Sequence, residues 1–221
     1  MDLSFPDFLR IFGILPGTIY EILITTVTKA GTLSTAPFGA IFQQHRGAIE
    51  LFAYDGSATL SNLRTTGACI INITQDPVLF YLALSKQKLD IELASDYPER
   101  SLTYQKIKTI DTLQPVDGVQ GYIVARVISI VPQGIKYLIT MEPVSCTQGE
   151  KNAVFSRGSA ALIEMMVHLS RLGVYSDLKK NKELIHKVKE LNLIVKKTGN
   201  KSWIELGDII VRKADSLDRR I

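Results

Sequence analysis

The chain is poor in the residues that usually announce a chemistry. It has 2 cysteines, 3 histidines and 1 tryptophan in 221 residues. Two cysteines cannot build a disulfide framework, and no pair of histidines has a metal-ligand spacing, so no metal site is expected. No run approaches the ~20 apolar residues of a membrane span. Asp2 and Asp7 precede Arg10, and the apolar run 11–15 is too short for a signal-peptide core. Cys69, inside Ala68-Cys69-Ile70-Ile71, reads as a small core residue. Together these absences point to a reducing, cytoplasmic setting with no membrane contact. No catalytic triad stands out either, and no catalytic residue is assigned.

What is present is an ordinary globular balance, with 46% hydrophobic and 22% charged residues. The formal charge of +4 hides an asymmetry. Residues 1–150 hold 11 Lys+Arg against 14 Asp+Glu, net −3, whereas residues 151–221 hold 15 against 8, net +7. That change of sign supports two structural units, a β-rich domain (18–150) and a basic helical C-terminal domain (151–221), and residues 1–17 read as an N-terminal extension. The extension is expected to pack on the body or on a partner chain.

The patterning within these parts is legible. Residues 18–28 alternate as a strand, and 29–32 carry a turn signal. A second strand runs over 34–42 and is interrupted by Pro37, which cannot donate to a ladder and so demands a bulge or an edge. A third strand spans 48–54. Residues 57–66 read as a short helix stopped by Gly67, and 68–74 as an apolar strand. Asp76-Pro77 opens a helix to Ala83, with proline at an early helical position. Further strands are expected over 102–110, 121–131 and 135–142, the last two joined by a hairpin at Pro132-Gln133-Gly134. Many short strands with few helices suggest a small antiparallel barrel. From about Ser156 the period becomes helical, through Leu162, Met165, Leu169 and Leu172 and again through Leu184, Val188 and Leu191. A third helix is expected near 203–211.

Two segments carry the functional signal. Thr35-Ala36-Pro37-Phe38-Gly39 is a strand that breaks its own regularity. Gly56-Ser57-Ala58-Thr59-Leu60-Ser61-Asn62 is a glycine turn opening a hydroxyl-rich helix. Free N–H groups and hydroxyls at such a helix start suit a phosphate. Asn62 lies about one helical turn after Thr59. Asn72, in an otherwise apolar strand, needs hydrogen-bond partners, either as a structural hub or as a site residue. Each has a simpler reading as well: Ser57, Thr59 and Asn62 as caps, and Pro37 as an edge bulge.

The order of these segments resembles the flavin-reductase-like proteins. Thr35-Ala36-Pro37-Phe38-Gly39 is similar to their N-x-A-P-F-S/G segment. Residues 57–63 followed by Gly67-Ala68-Cys69-Ile70-Ile71-Asn72-Ile73 are similar to their S-x-x-T-x-x-N-I … G-x-F-V-V-N run. Tyr20-Glu21-Ile22, Asn72-Ile73-Thr74-Gln75-Asp76-Pro77 and the helix 157–171 further resemble the domain of unknown function 447 family, a mainly archaeal branch. The resemblance implies an α+β fold, an antiparallel FMN-binding split β-barrel with a helical C-terminal domain. It implies FMN as cofactor, with Ala36, Pro37, Phe38 and Gly39 at the ring and Ser57, Thr59 and Asn62 at the ribityl phosphate; Thr35 and Gly56 join them as candidate cofactor-binding residues. Asn72 is placed with them. It implies a homodimer with the flavin near its interface. Thr35 and Gly39 depart from the Asn and Ser of many flavin reductases.

The expected function is a flavin-dependent oxidoreductase in which NADH or NADPH passes hydride to flavin N5, with the cofactor carrying the hard step. The alternative is a flavin-binding or regulatory module without turnover. A nucleic-acid contact through the basic tail is the lesser reading; it rests on taking 193–206 as a β-wing, whereas a solvated helix face is the default.

Overall fold

The computed structural model describes residues 1–85, 102–105, 112–149, 154–172 and 178–218. Among these, seven strands and six helices follow in chain order. They are β1 (Asp2–Leu3), α1 (Phe5–Ile11), β2 (Ile19–Val27), β3 (Leu33–Gln43), β4 (Ala48–Tyr54), α2 (Ala58–Thr66), β5 (Ala68–Ile73), α3 (Pro77–Ser85), β6 (Gly121–Gln133), β7 (Lys136–Gln148), α4 (Arg157–Arg171), α5 (Leu178–Thr198) and α6 (Lys201–Asp218). The chain divides into two compact units, one of Met1–Ile14 with Glu21–Phe155, the other of Leu15–Tyr20 with Ser156–Ile221.

The first unit is the expected antiparallel barrel. Its strand order is β1-β7-β4-β3-β2-β5-β6, and an additional β7–β6 pairing closes six of the strands on themselves. Every residue of β5 is buried. The two longest strands form a hairpin through Gly134-Ile135, with Gln133 opposite Lys136. A two-residue loop of this kind favours a residue at positive φ, and Gly134 sits at +66°.

The N-terminal residues pack on this barrel. Asp2 and Leu3 pair with Thr147 and Cys146 of β7. Helix α1 is capped by Ser4, which accepts from the Asp7 N–H, and it buries Phe8 and Leu9. Phe8 stacks on Phe12 at 4.4 Å between ring centroids. Burying one such ring contributes about 2–3 kcal/mol. Gly121 makes room for it, since a Cβ there would lie 2.6 Å from the Phe12 ring.

The expected strand over 102–110 is only partly realised. Tyr104 forms an isolated antiparallel bridge with Val116, and residues 106–111 lie outside the described residues. Flanking backbone bonds clamp that bridge, from Gln105 N–H to Pro115 O (2.9 Å) and from Asp117 N–H to Thr103 O (2.8 Å).

The second unit is built on α4, α5 and α6. Their shared core includes Leu162, Met165, Ile185, Val188, Val195 and Ile210. The β-wing reading of 193–206 is overturned. Helix α5 runs on to Thr198, and α6 begins at Lys201 with the Asn200 side chain accepting from the Trp203 N–H at 3.0 Å. Asparagine is a strong helix-starting residue, so the polar break marks a turn between helices. Gly207 lets α6 approach α5, because a Cβ there would collide with the Asn192 amide. Ion pairs Lys189–Asp215 (2.8 Å) and Lys196–Asp208 (3.0 Å) take up part of the basic charge.

Candidate functional site

The strand carrying Thr35 to Gly39 leaves its neighbour where the sequence says it must. β3 pairs with β4 over Ala40–Gln43, opposite Leu51–Ala48, and the ladder does not extend back to Gly39. Pro37 lies in the part without a β4 partner, as a residue with no N–H to donate favours. Ala36, Pro37, Phe38 and Gly39 are half-buried there, whereas Thr35 is buried. Their backbone groups on the β4 side are therefore available to something other than β4.

Helix α2 follows β4 through a tight turn. Gly56 has φ +73°, a conformation that side chains with a Cβ rarely adopt, and no atom lies within 4 Å of where its Cβ would be. Ser57 is the N-cap, and its Oγ accepts from the Leu60 N–H at 3.3 Å. Its own hydroxyl proton is left to donate. Ala58 and Thr59 open the helix, so their N–H groups have no intrahelical acceptor. Thr59 is 5% exposed, yet its hydroxyl makes no hydrogen bond among the described residues. Gly67 ends the helix at φ +66°, donating its N–H to Leu63 O. Arg64 in the last turn lies over the Tyr137 ring at 4.4 Å, which ties α2 to β7. The one carboxylate in the turn, Asp55, accepts from the Gly56 N–H at 3.1 Å.

Two adjacent threonines of β2 connect these pieces. Asn62 Nδ2 donates to Thr26 Oγ1 at 2.9 Å, and Thr26 Oγ1 donates to Ser34 O at 3.3 Å. That chain fastens α2 to the entry of the 35–39 segment. Thr25 Oγ1 lies 2.9 Å from Thr35 Oγ1, which lies 3.1 Å from the Tyr104 hydroxyl. Behind Thr25 stands Asn72, fully buried. Its Nδ2 donates to Leu23 O and to Thr25 Oγ1, both at 3.0 Å, while its Oδ1 accepts from the Val116 N–H at 2.9 Å. Both ends of this amide are thus engaged by the barrel itself, as a buried amide requires.

The structure therefore joins Thr35 to Asn72 through Thr25, and Asn62 to Ser34 through Thr26. It places Gly56, Ser57 and Thr59 together at the α2 start. Sequence reasoning missed Thr25, Thr26 and Tyr104. The signal for the first two was two neighbouring hydroxyls inside an apolar strand, each of which must find a partner once buried.

Burial pushes the Cys69 and Cys146 thiols up to about 12, far from the thiolate range at neutral pH. Among the described residues no cluster of His, Cys, Asp and Glu could hold a metal ion. No described helix is long and apolar enough to cross a membrane. The lysine-rich face of α5 alternates in sign, with Glu183 and Glu190 among Lys179, Lys182 and Lys187.

Comparison with solved structures finds the same fold in an FMN-bound protein from Methanosarcina mazei, itself assigned to the DUF447 family. It is 18% identical, with a TM-score of 0.50 over 93% of this chain and 99% of that one. Also similar are nitrilotriacetate monooxygenase component B from Bacillus cereus and the styrene monooxygenase flavin reductase from Pseudomonas putida S12. The former is 18% identical with a TM-score of 0.48, covering 69% of this chain and 82% of that one. The latter is 12% identical with a TM-score of 0.49, covering 64% and 87%. No curated protein matches the chain. Residues 20–122 match the family model for the N-terminal domain of the protein of unknown function DUF447, and residues 156–212 match its C-terminal counterpart, so the chain belongs to the DUF447 family.

Proposed function

We propose that the barrel binds FMN and serves a flavin-dependent oxidoreductase. The observation that carries this reading is the Asn62–Thr26–Ser34 chain, which fastens the helix with the donor-rich start to the entry of a strand segment that has no β4 partner. The Methanosarcina mazei protein of the same family and fold is FMN-bound, which supports the assignment.

The donor set suits the group. A phosphate dianion asks for N–H and O–H donors and the positive end of a helix, and the α2 start offers both. In this assignment the Ala58 and Thr59 N–H groups and the Ser57 and Thr59 hydroxyls hold the phosphate. Gly56 keeps the approach free of side chain, and Asn62 braces the helix. Residues 35–39 meet the ring, with Phe38 as an apolar wall and the exposed backbone groups as hydrogen-bond partners. Asn72 acts from behind, positioning Thr25 and through it Thr35. Bound FMN supplies hydride transfer between a nicotinamide and an acceptor through its N5 position. The chain's task is to bind and orient, which accounts for a site without an acid–base pair. We assign NADH or NADPH as the reductant, a second copy of the chain as the partner and a reducing, cytoplasmic setting for its buried thiols.

The test is anaerobic mixing of the FMN-loaded protein with NADH or NADPH. Bleaching of the flavin absorbance at a catalytically useful rate supports the oxidoreductase. A protein that stays yellow with both donors refutes turnover and leaves a binding module.

A further inference from the structure

The hydroxyl chain that ends at Tyr104 has a fixed direction. Asn72 Nδ2 can only donate, so Thr25 Oγ1 accepts from it. Thr25 is fully buried, and the acceptor for its proton is Thr35 Oγ1 at 2.9 Å. Reversing that bond would leave a buried proton with no acceptor, which is costly. Thr35, also buried, must then donate onward to the Tyr104 hydroxyl at 3.1 Å. Tyr104 accepts this bond and is left with its own proton to give. It is half-buried, and its hydroxyl has no acceptor among the described residues.

The same amide also fixes the Tyr104 backbone. Asn72 Oδ1 accepts from the N–H of Val116, the bridge partner of Tyr104. The ring packs with Phe80 and Leu102 against the cluster of Leu23, Leu79 and Val116. Tyr104 is therefore held from both its backbone and its hydroxyl, and that hydroxyl lies beside the first residue of the 35–39 segment.

We propose that Tyr104 is a cofactor-facing donor, giving its O–H to an acceptor atom on the rim of the flavin ring. This inference rests on the flavin reading above. A preorganised neutral donor favours the more electron-rich, reduced ring over the oxidised one. Its loss should therefore lower the midpoint potential as well as weaken binding. Thr25, Thr35 and Asn72 are positioning residues behind it.

The experiment compares the full-length wild type with Tyr104→Phe and, as a second variant, Thr35→Val. FMN affinity is read by flavin fluorescence, the midpoint potential by dye-coupled titration and the apo melting temperature by calorimetry. Tyr104→Phe is expected to weaken FMN by about five- to tenfold, the worth of one hydrogen bond, and to lower the potential. Thr35→Val, which keeps the phenol but removes the group that orients it, is expected to shift both in the same direction by less. If the wild type binds FMN and Tyr104→Phe matches it in affinity and potential, the donor role is overturned while the flavin reading stands. A Tyr104→Phe protein that loses thermal stability but keeps its potential overturns it likewise. If the wild type does not bind FMN at all, both fall.

Discussion

Replacing Asn72 by aspartate should convert a buried amide hub into a pH-dependent fault. The native Nδ2 faces three acceptors, Leu23 O and Thr25 Oγ1 at 3.0 Å and Ile70 O at 3.4 Å, with no exposure to water. An aspartate there must keep a proton to donate to any of them. Burial and the facing carbonyls both disfavour its charged form, so its folded pKa rises above the unfolded value of about 3.9 by about 3 units. The sign follows from linkage. The folded state holds the proton more tightly, so the variant is most stable below about pH 4 and loses about 1.4 kcal/mol per pH unit as pH rises towards the folded pKa. By pH 7 the loss reaches about 4 kcal/mol, a large share of the ~5–15 kcal/mol that holds a typical domain together. Asn72→Leu serves as the control. It strands the Val116 N–H and a Thr25 bond for about 2–4 kcal/mol, with no dependence on pH. Urea denaturation followed by circular dichroism across pH 4 to 8 measures both. An Asn72→Asp protein that tracks the wild type at every pH would refute the placement of Asn72 as a dry, donating hub.

Two substitutions separate fold from ligand at the start of α2. Thr59→Val removes a hydroxyl with no protein partner among the described residues, so the apo melting temperature should hold while FMN affinity falls; a loss of stability with unchanged affinity would contradict this. Gly56→Ala forces a Cβ into φ +73° without meeting any atom, so its cost is conformational, about 1 kcal/mol or roughly 2–4 °C in melting temperature. Calorimetry that shows no change would mean the turn is not held in that conformation.

The parts of the site visible in the sequence are those fixed by local chemistry. Ser57 and Gly67 bracket α2 because a hydroxyl satisfies the first turn and a positive φ ends the last. Pro37 announced the loss of a ladder bond, and the ladder with β4 stops at Ala40. The parts that escaped depend on residues far apart in the chain. Tyr104 meets Thr35 across 69 positions, and no periodicity of either segment encodes that contact. Asn72 could be read as needing partners, but not that Val116 and Thr25 would supply them. The lesser β-wing reading of 193–206 failed because it took residues on both sides of the Thr198-Gly199-Asn200 break as strands, whereas both sides are helical. An Asn N-cap with helical spacing on both sides instead joins two helices.

In the proposed site, α2 holds a phosphate and the 35–39 segment holds a flavin ring. Parallel titration of the apo protein with FMN and with riboflavin tests it most directly, because the two ligands differ only at the phosphate. Two charge-assisted hydrogen bonds at the helix start should make FMN about a hundredfold tighter, with the difference shrinking in Thr59→Val. Equal affinities for the two ligands, or no binding of either, would contradict it.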